Sequence, residues 1–299
     1  MTASVWWNGA RPRTLAAGVM PVIVGAAASG ANLVRWEFAA ALVVAVGLQV
    51  GVNFANDAFD GMQGVDTAER LGPPRLVASG AASARSVLLA ALVALGVAAV
   101  AGLALAIATS PVPILSIGAL ALVAALLYSG GPRPLASLGL GEVMVFLFFG
   151  LMATCGTSFV VGGSVTAAAW WGGAALGLLA VAILVANNLR DIATDDVAGK
   201  RTLAVRLGDR RTRLLYRACV IGAFAVICLG VVAFLVDESV GITQWALVAL
   251  VAWPLAIRPM DSLGPARGRE LIPVLVGTAA LEAGFGAALA LGLLLERTT

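Results

Sequence analysis

The 299 residues include no histidine. Its absence excludes serine–histidine and cysteine–histidine nucleophile pairs, and any zinc or haem held by imidazole. Cysteine is scarce: Cys155, Cys219 and Cys228 lie in apolar stretches without metal-ligand spacing and read as small core residues. Lys200 is the single lysine among 19 basic residues. Charged residues make up 12% of the chain and hydrophobic ones 61%, whereas soluble domains carry about 25% charge and roughly 45–50% apolar residues. Disordered, collagen-like and disulfide-stapled chains are excluded by the same arithmetic. What is present is a series of apolar runs too long and too many for soluble cores, so the chain reads as an all-α, polytopic membrane protein.

A spanning helix needs about 20 apolar residues. Walking the chain at that length gives nine spans: 14–34, 37–59, 86–109, 111–129, 139–161, 166–189, 212–236, 241–257 and 271–295. No separate soluble domain fits between them, so residues 1–299 form one membrane-embedded domain. Basic residues alternate with these spans. On one side fall Arg11, Arg13, Arg70, Arg75, Arg85, Arg133, Arg190, Lys200, Arg201, Arg206, Arg210, Arg211, Arg213, Arg217, Arg258, Arg267 and Arg269. Only Arg35 and Arg297 are left for the other. By the positive-inside rule the crowded face, with the N-terminus, is cytoplasmic, in a cell (inner) membrane. A cleaved signal peptide is the plain alternative for the first span. Against it, the stretch nearly reaches spanning length and the charge alternation uses it.

The carboxylates are more informative. The second span ends with Asn53, Asn56, Asp57 and Asp60, spaced i, i+3, i+4 and i+7 on one helical face. The sixth ends with Asn188, Asp191 and Asp195 on one face, Asn187 adjoining. Both clusters sit at the cytoplasmic end, four spans apart, which suggests two four-helix pseudo-repeats plus a ninth helix. Such repeats would bring the clusters face to face across a cavity. Carboxylates bordering a bilayer are costly and mark function. Facing one another they repel unless a cation sits between them, and an oxygen-only ligand set suits Mg²⁺. Magnesium takes one or two carboxylates and completes its shell with water and phosphate, so the pattern asks for a phosphate-bearing substrate. Arg75, Arg133, Lys200 and Arg201 are placed to neutralise the remaining phosphate charge.

In these residues the chain resembles the UbiA superfamily of intramembrane prenyltransferases. Asn56-Asp57-x-x-Asp60 is similar to its first Asp-rich motif, Asp191-x-x-x-Asp195 to its second, and Arg11-Pro12 to its opening motif. Asn187-Asn188-Leu-Arg190-Asp191, Gly199-Lys200-Arg201-Thr202, Gly268-Arg269-Glu270 and the Tyr128-Ser-Gly-Gly131 turn carry the likeness through most of the chain, toward the menaquinone branch. The ubiquinone-type first motif has a further Asp where this chain has Gly64. The next one here, Asp66, need not share the helical face and is left out of the metal set.

The resemblance implies transfer of a polyprenyl group from polyprenyl diphosphate to 1,4-dihydroxy-2-naphthoate, with loss of CO₂ and diphosphate, giving a demethylmenaquinone. It implies two Mg²⁺ held by Asp57, Asp60, Asp191 and Asp195, with Asn53, Asn56 and Asn188 as neutral ligands or orienters. Arg11, Arg75, Arg133, Lys200 and Arg201 would bind diphosphate, and Arg133, Arg190 and Tyr128 the acceptor. Phe54, Tyr128, Phe146, Phe148 and Phe149 are candidates to face an allylic cation. Another aromatic acceptor, such as 4-hydroxybenzoate or homogentisate, leaves the same clusters in place. A cation transporter is the reading from a different class, but its site belongs near the midplane, whereas both clusters lie at one face.

Overall fold

The computed structural model describes residues 3–31, 35–62, 64, 75–264 and 266–296. Asp66, Arg70, Arg297 and the end of the first expected span therefore lie outside the described residues. Helices α1 (Ala3–Gly9) and α2 (Ala16–Ala28) are followed by α3 (Trp36–Met62), α4 (Ala84–Ala108) and α5 (Pro111–Ser129). Then come α6 (Gly141–Gly162), α7 (Ala167–Val197), α8 (Leu203–Val236), α9 (Gln244–Leu263) and α10 (Leu271–Leu295). No strand occurs among the described residues.

Helices α2 to α10 correspond one for one to the nine expected spans, and eight of them are long and apolar enough to cross a bilayer. The exception is α2, 13 residues long. At 1.5 Å per residue it reaches only about 20 Å, short of the ~30 Å hydrocarbon core. Its limits are local. Arg11 is left-handed (φ 57°), Pro12–Thr14 form a 3₁₀ turn, and Gly30 beyond its end has φ 73°. At the other motif-bearing ends the helices run on: α3 continues to Met62 and α7 to Val197, so both Asp clusters are helical to their last member. Helix α8 begins nine residues before the expected 212, with a break at Gly208 (φ 74°). Thr166 and Thr202 cap α7 and α8 by accepting from the backbone N–H three residues on, each contributing about 1 kcal/mol.

The pseudo-repeat is visible in the packing. The most extensive pairing in each half is the equivalent one, α3 with α4 and α7 with α8. The main core joins α2, α7, α8 and α10 through Leu176, Leu179, Ile227, Phe285 and Leu289, all fully buried. Helix α6 approaches α7 at a glycine contact: a Cβ on Gly150 would stand 2.5 Å from the Gly177 Cα. Small residues permit that approach in lipid, where apolar burial does not drive helices together. Just there, Phe146–Met152 widen to a π-helical turn. Helix α5 packs on α3 and α4, and the space between α5 and α6 opens into a cavity. Large apolar side chains along the outside of α4 and the start of α5, including Leu89, Val93, Val100, Ile107 and Val112, are exposed, as a lipid-facing surface requires.

Candidate active site

The cavity, about 1690 Å³, exceeds the ~300–1,000 Å³ usual for small-ligand pockets. One end is polar, built by the C-terminal turns of α3 and α7; the rest is walled by apolar side chains of α5 and α6, including Leu122, Phe148, Phe149 and Met152. Asn53, Asn56, Asp57 and Asp60 from α3 line it together with Asn187, Asn188, Arg190, Asp191 and Asp195 from α7. The two clusters therefore share one chamber, as the pseudo-repeat implied. Arg11, Arg75, Tyr128 and Lys200 line it too.

Three of the carboxylates, those of Asp57, Asp60 and Asp191, are held by nearby groups. Both Asp57 oxygens accept backbone N–H bonds, from Leu76 at 2.8 Å and Val77 at 3.0 Å, which fixes Arg75 beside the cluster. Asp60, 4% exposed, receives Lys200 Nζ at 3.1 Å and lies 3.9 Å from Arg75 Nη2. The Lys200 contact joins the two halves, and it has a backbone cause. Helix α7 ends in a Schellman motif: Gly199 is left-handed (φ 73°), the Gly199 N–H bonds Asp196 O at 3.1 Å and the Lys200 N–H bonds Asp195 O at 2.8 Å. The chain thus turns back and delivers Lys200 to α3. Asp191 is gripped by its neighbour Arg190 through Nε at 2.7 Å and Nη2 at 2.6 Å.

The amides act as fasteners. Asn53 donates to Ala10 O at 3.0 Å, and Gln49, one turn deeper, donates to Thr14 O at 2.6 Å. These bonds pin both flanks of the left-handed Arg11, a conformation that costs about 1–2 kcal/mol in a non-glycine residue. Asn56 accepts from Ser129 Oγ at 2.6 Å, which ties α3 to the end of α5. Asn187 accepts from Arg190 Nη2 at 2.8 Å, and Asn188 donates to Glu142 at 3.0 Å.

Several sequence expectations need correction. Arg133 lies in an exposed turn after α5, and Arg201, 65% exposed, faces outward to Asp196 at 3.3 Å; neither lines the cavity. Phe54 stacks edge-on against Trp6, with ring centres 5.7 Å apart, and Phe146 packs toward Gly177 of α7. The cavity aromatics of that set are Tyr128, Phe148 and Phe149. Arg190, expected at the acceptor, does line the cavity, with its guanidinium bonded to Asp191 and Asn187. Gln49 and Glu142 were missed. Gln49 continues the Asn53–Asp57 face by one turn, and Glu142 is a lone acid in an apolar span, so both carried a readable signal.

Among the described residues no three carboxylates or thiolates converge into a ready-made metal group. The donors present are nonetheless hard oxygens, two aspartates on each helix, which fits a cation that takes one or two carboxylates at a time. At Asp60 two protein cations already gather, so the position favours positive charge.

Fold and site together define a class: a multi-pass helical membrane protein whose acidic and basic groups open onto an apolar chamber, suited to a molecule with an anionic head and a hydrocarbon tail. Residues 18–272 match the UbiA prenyltransferase family, and the chain belongs to that family. It is 46% identical to the 1,4-dihydroxy-2-naphthoate octaprenyltransferase of Mycobacterium tuberculosis over 279 residues, 91% of each chain. To the protein of the same name from Escherichia coli it is 33% identical, over 85% of this chain and 82% of that one. Among solved structures, the apo UbiA homologue of Aeropyrum pernix superposes with a TM-score of 0.71 at 19% identity, covering 93% of this chain and 97% of that one. The Archaeoglobus fulgidus homologue bound to GPP and Mg²⁺ gives 0.61 at 16% identity, covering 95% and 99%.

Proposed function

We propose that this protein transfers a polyprenyl group from polyprenyl diphosphate to 1,4-dihydroxy-2-naphthoate, with loss of CO₂ and diphosphate, to give a prenylated 1,4-dihydroxynaphthalene, the quinol form of a demethylmenaquinone. The observation that carries this reading is the single chamber with opposed Asp clusters at one end and hydrocarbon walls beyond. The names of the relatives at 46% and 33% identity supply the acceptor and the prenyl donor class.

In this reading the whole chain works as one membrane domain, in the cell membrane, with the acidic end of the cavity at the cytoplasmic face. Asp57, Asp60, Asp191 and Asp195 would hold two Mg²⁺. Metal bound there neutralises the charge that grows on the leaving diphosphate as the carbon–oxygen bond breaks. The chain's own groups do the rest. Lys200, Arg75 and Arg11 bind the diphosphate oxygens and stabilise the same charge. The walls of α5 and α6 keep water from the allylic cation, and the faces of Phe148 and Phe149 stabilise it. The naphthoate ring attacks through its carboxylate-bearing carbon. The electron pair of the carbon–carboxylate bond returns to the ring as CO₂ departs, so no external base is needed for that step. Tyr128, which lines the cavity from the end of α5 with its hydroxyl beside Gly141 of α6, is placed to bond an acceptor oxygen.

The test is an assay of purified protein in detergent with a polyprenyl diphosphate and either 1,4-dihydroxy-2-naphthoate or 4-hydroxybenzoate, with Mg²⁺ or EDTA. A decarboxylated, prenylated naphthol formed only with Mg²⁺ is expected. Product from 4-hydroxybenzoate alone would overturn the acceptor, and undiminished product in EDTA would overturn the metal.

A further inference from the structure

Behind the second acidic cluster stands a carboxyl group that the reaction above does not use. Glu142 occupies the first turn of α6, 6% exposed, and is not among the cavity-lining residues. A buried carboxyl in a membrane span is costly without a partner. Its partner is Asn188 on α7, whose Nδ2 donates to Oε1 at 3.0 Å. An asparagine amide has one donor end and one acceptor end, whereas a carboxylate only accepts. The end turned to Glu142 is therefore the NH₂. The carbonyl oxygen is left for the cavity, which Asn188 lines.

The neighbouring amides are set the opposite way. The oxygen of Asn187 is taken by Arg190 and that of Asn56 by Ser129, so both present their NH₂ ends. An amide oxygen ligates a hard cation; an amide NH₂ does not. Hydrogen-bond polarity thus separates asparagines that the sequence treats alike.

We propose that Glu142 is a positioning residue: by fixing the Asn188 amide with its oxygen toward the cavity, it makes Asn188 an oxygen ligand for a divalent cation at the second acidic cluster. This rests on the reading that the cavity takes such a cation. Without Glu142 the amide turns freely, and its NH₂ end competes for the position facing the metal.

The experiment is Mn²⁺ binding to the full-length protein in detergent without substrates, read from the electron paramagnetic resonance signal of free Mn²⁺. Glu142→Ala is expected to weaken binding roughly 10- to 100-fold, as loss of an outer partner of a metal ligand does. Asn188→Ala should do the same, and the double variant should be no weaker than either single one, because the two act as one unit. In Glu142→Gln/Asn188→Asp the polarity is reversed: the Gln NH₂ donates, and a carboxylate oxygen still faces the cavity. Binding should return to within a few-fold of wild type, and this variant carries the test if Glu142→Ala fails to fold. Unchanged Mn²⁺ affinity in Glu142→Ala, with only a lower thermal midpoint, would overturn the inference alone. No Mn²⁺ binding by the wild type would overturn the cation reading and the inference with it.

Discussion

Asp60 shows what a single side chain does here: it draws Lys200 from the other half of the chain into the chamber and holds it at 3.1 Å. Lys200→Met should raise the KM for polyprenyl diphosphate about tenfold, the effect of losing one charge-assisted bond of ~1.5 kcal/mol, with a smaller change in kcat. Gln49→Ala frees the Thr14 carbonyl and loosens the segment that keeps Arg11 left-handed. A similar KM increase, with the acceptor KM unchanged, is expected from steady-state kinetics varying each substrate in turn. The aspartates were readable because helical spacing puts them on one face whatever the packing. Arg133 and Arg201 were not, because in a loop nothing in the spacing tells which way a side chain points; Arg201 finds Asp196 on the outside.

Local backbone geometry decides the next level. The Schellman motif at Gly199 turns the chain toward α3, so Gly199→Val should cost about 1–2 kcal/mol for the left-handed residue. It should also reproduce the diphosphate KM defect of Lys200→Met, although it removes no charge. At the Gly150–Gly177 contact, Gly150→Leu forces α6 from α7 and should destabilise by roughly 1–3 kcal/mol, read as a lower thermal midpoint in detergent. Hydropathy alone located the helices well, α5 to the residue. It overestimated α2, whose ends are fixed by Arg11, Pro12 and Gly30 instead of by apolar content. The π turn at Phe146–Met152 was invisible to a 3.6-residue period, which is why Phe146 was assigned to the cavity and belongs against α7.

For the molecule as a whole, two similar halves each contribute one acidic helix end, and the cavity is what lies between them. The charge map fixes the proposed orientation: a reporter fused in the loop between α7 and α8 should report the cytoplasm, and one between α6 and α7 the opposite side. The repeat was legible in two Asn/Asp clusters four spans apart. The same repeat implied that both ends open on one chamber; the shape of that chamber was not legible, since it depends on how α3 and α7 pack across α2 and α6.

The most direct measurement compares product formation by the wild type, Asp57→Ala and Asp191→Ala, each shown folded by its elution as a monodisperse species. The account predicts that either substitution, in either half, reduces turnover roughly 100-fold or more, as loss of a group stabilising the leaving charge does. Wild-type turnover in one of the two would contradict it, because a single half would then suffice for transfer.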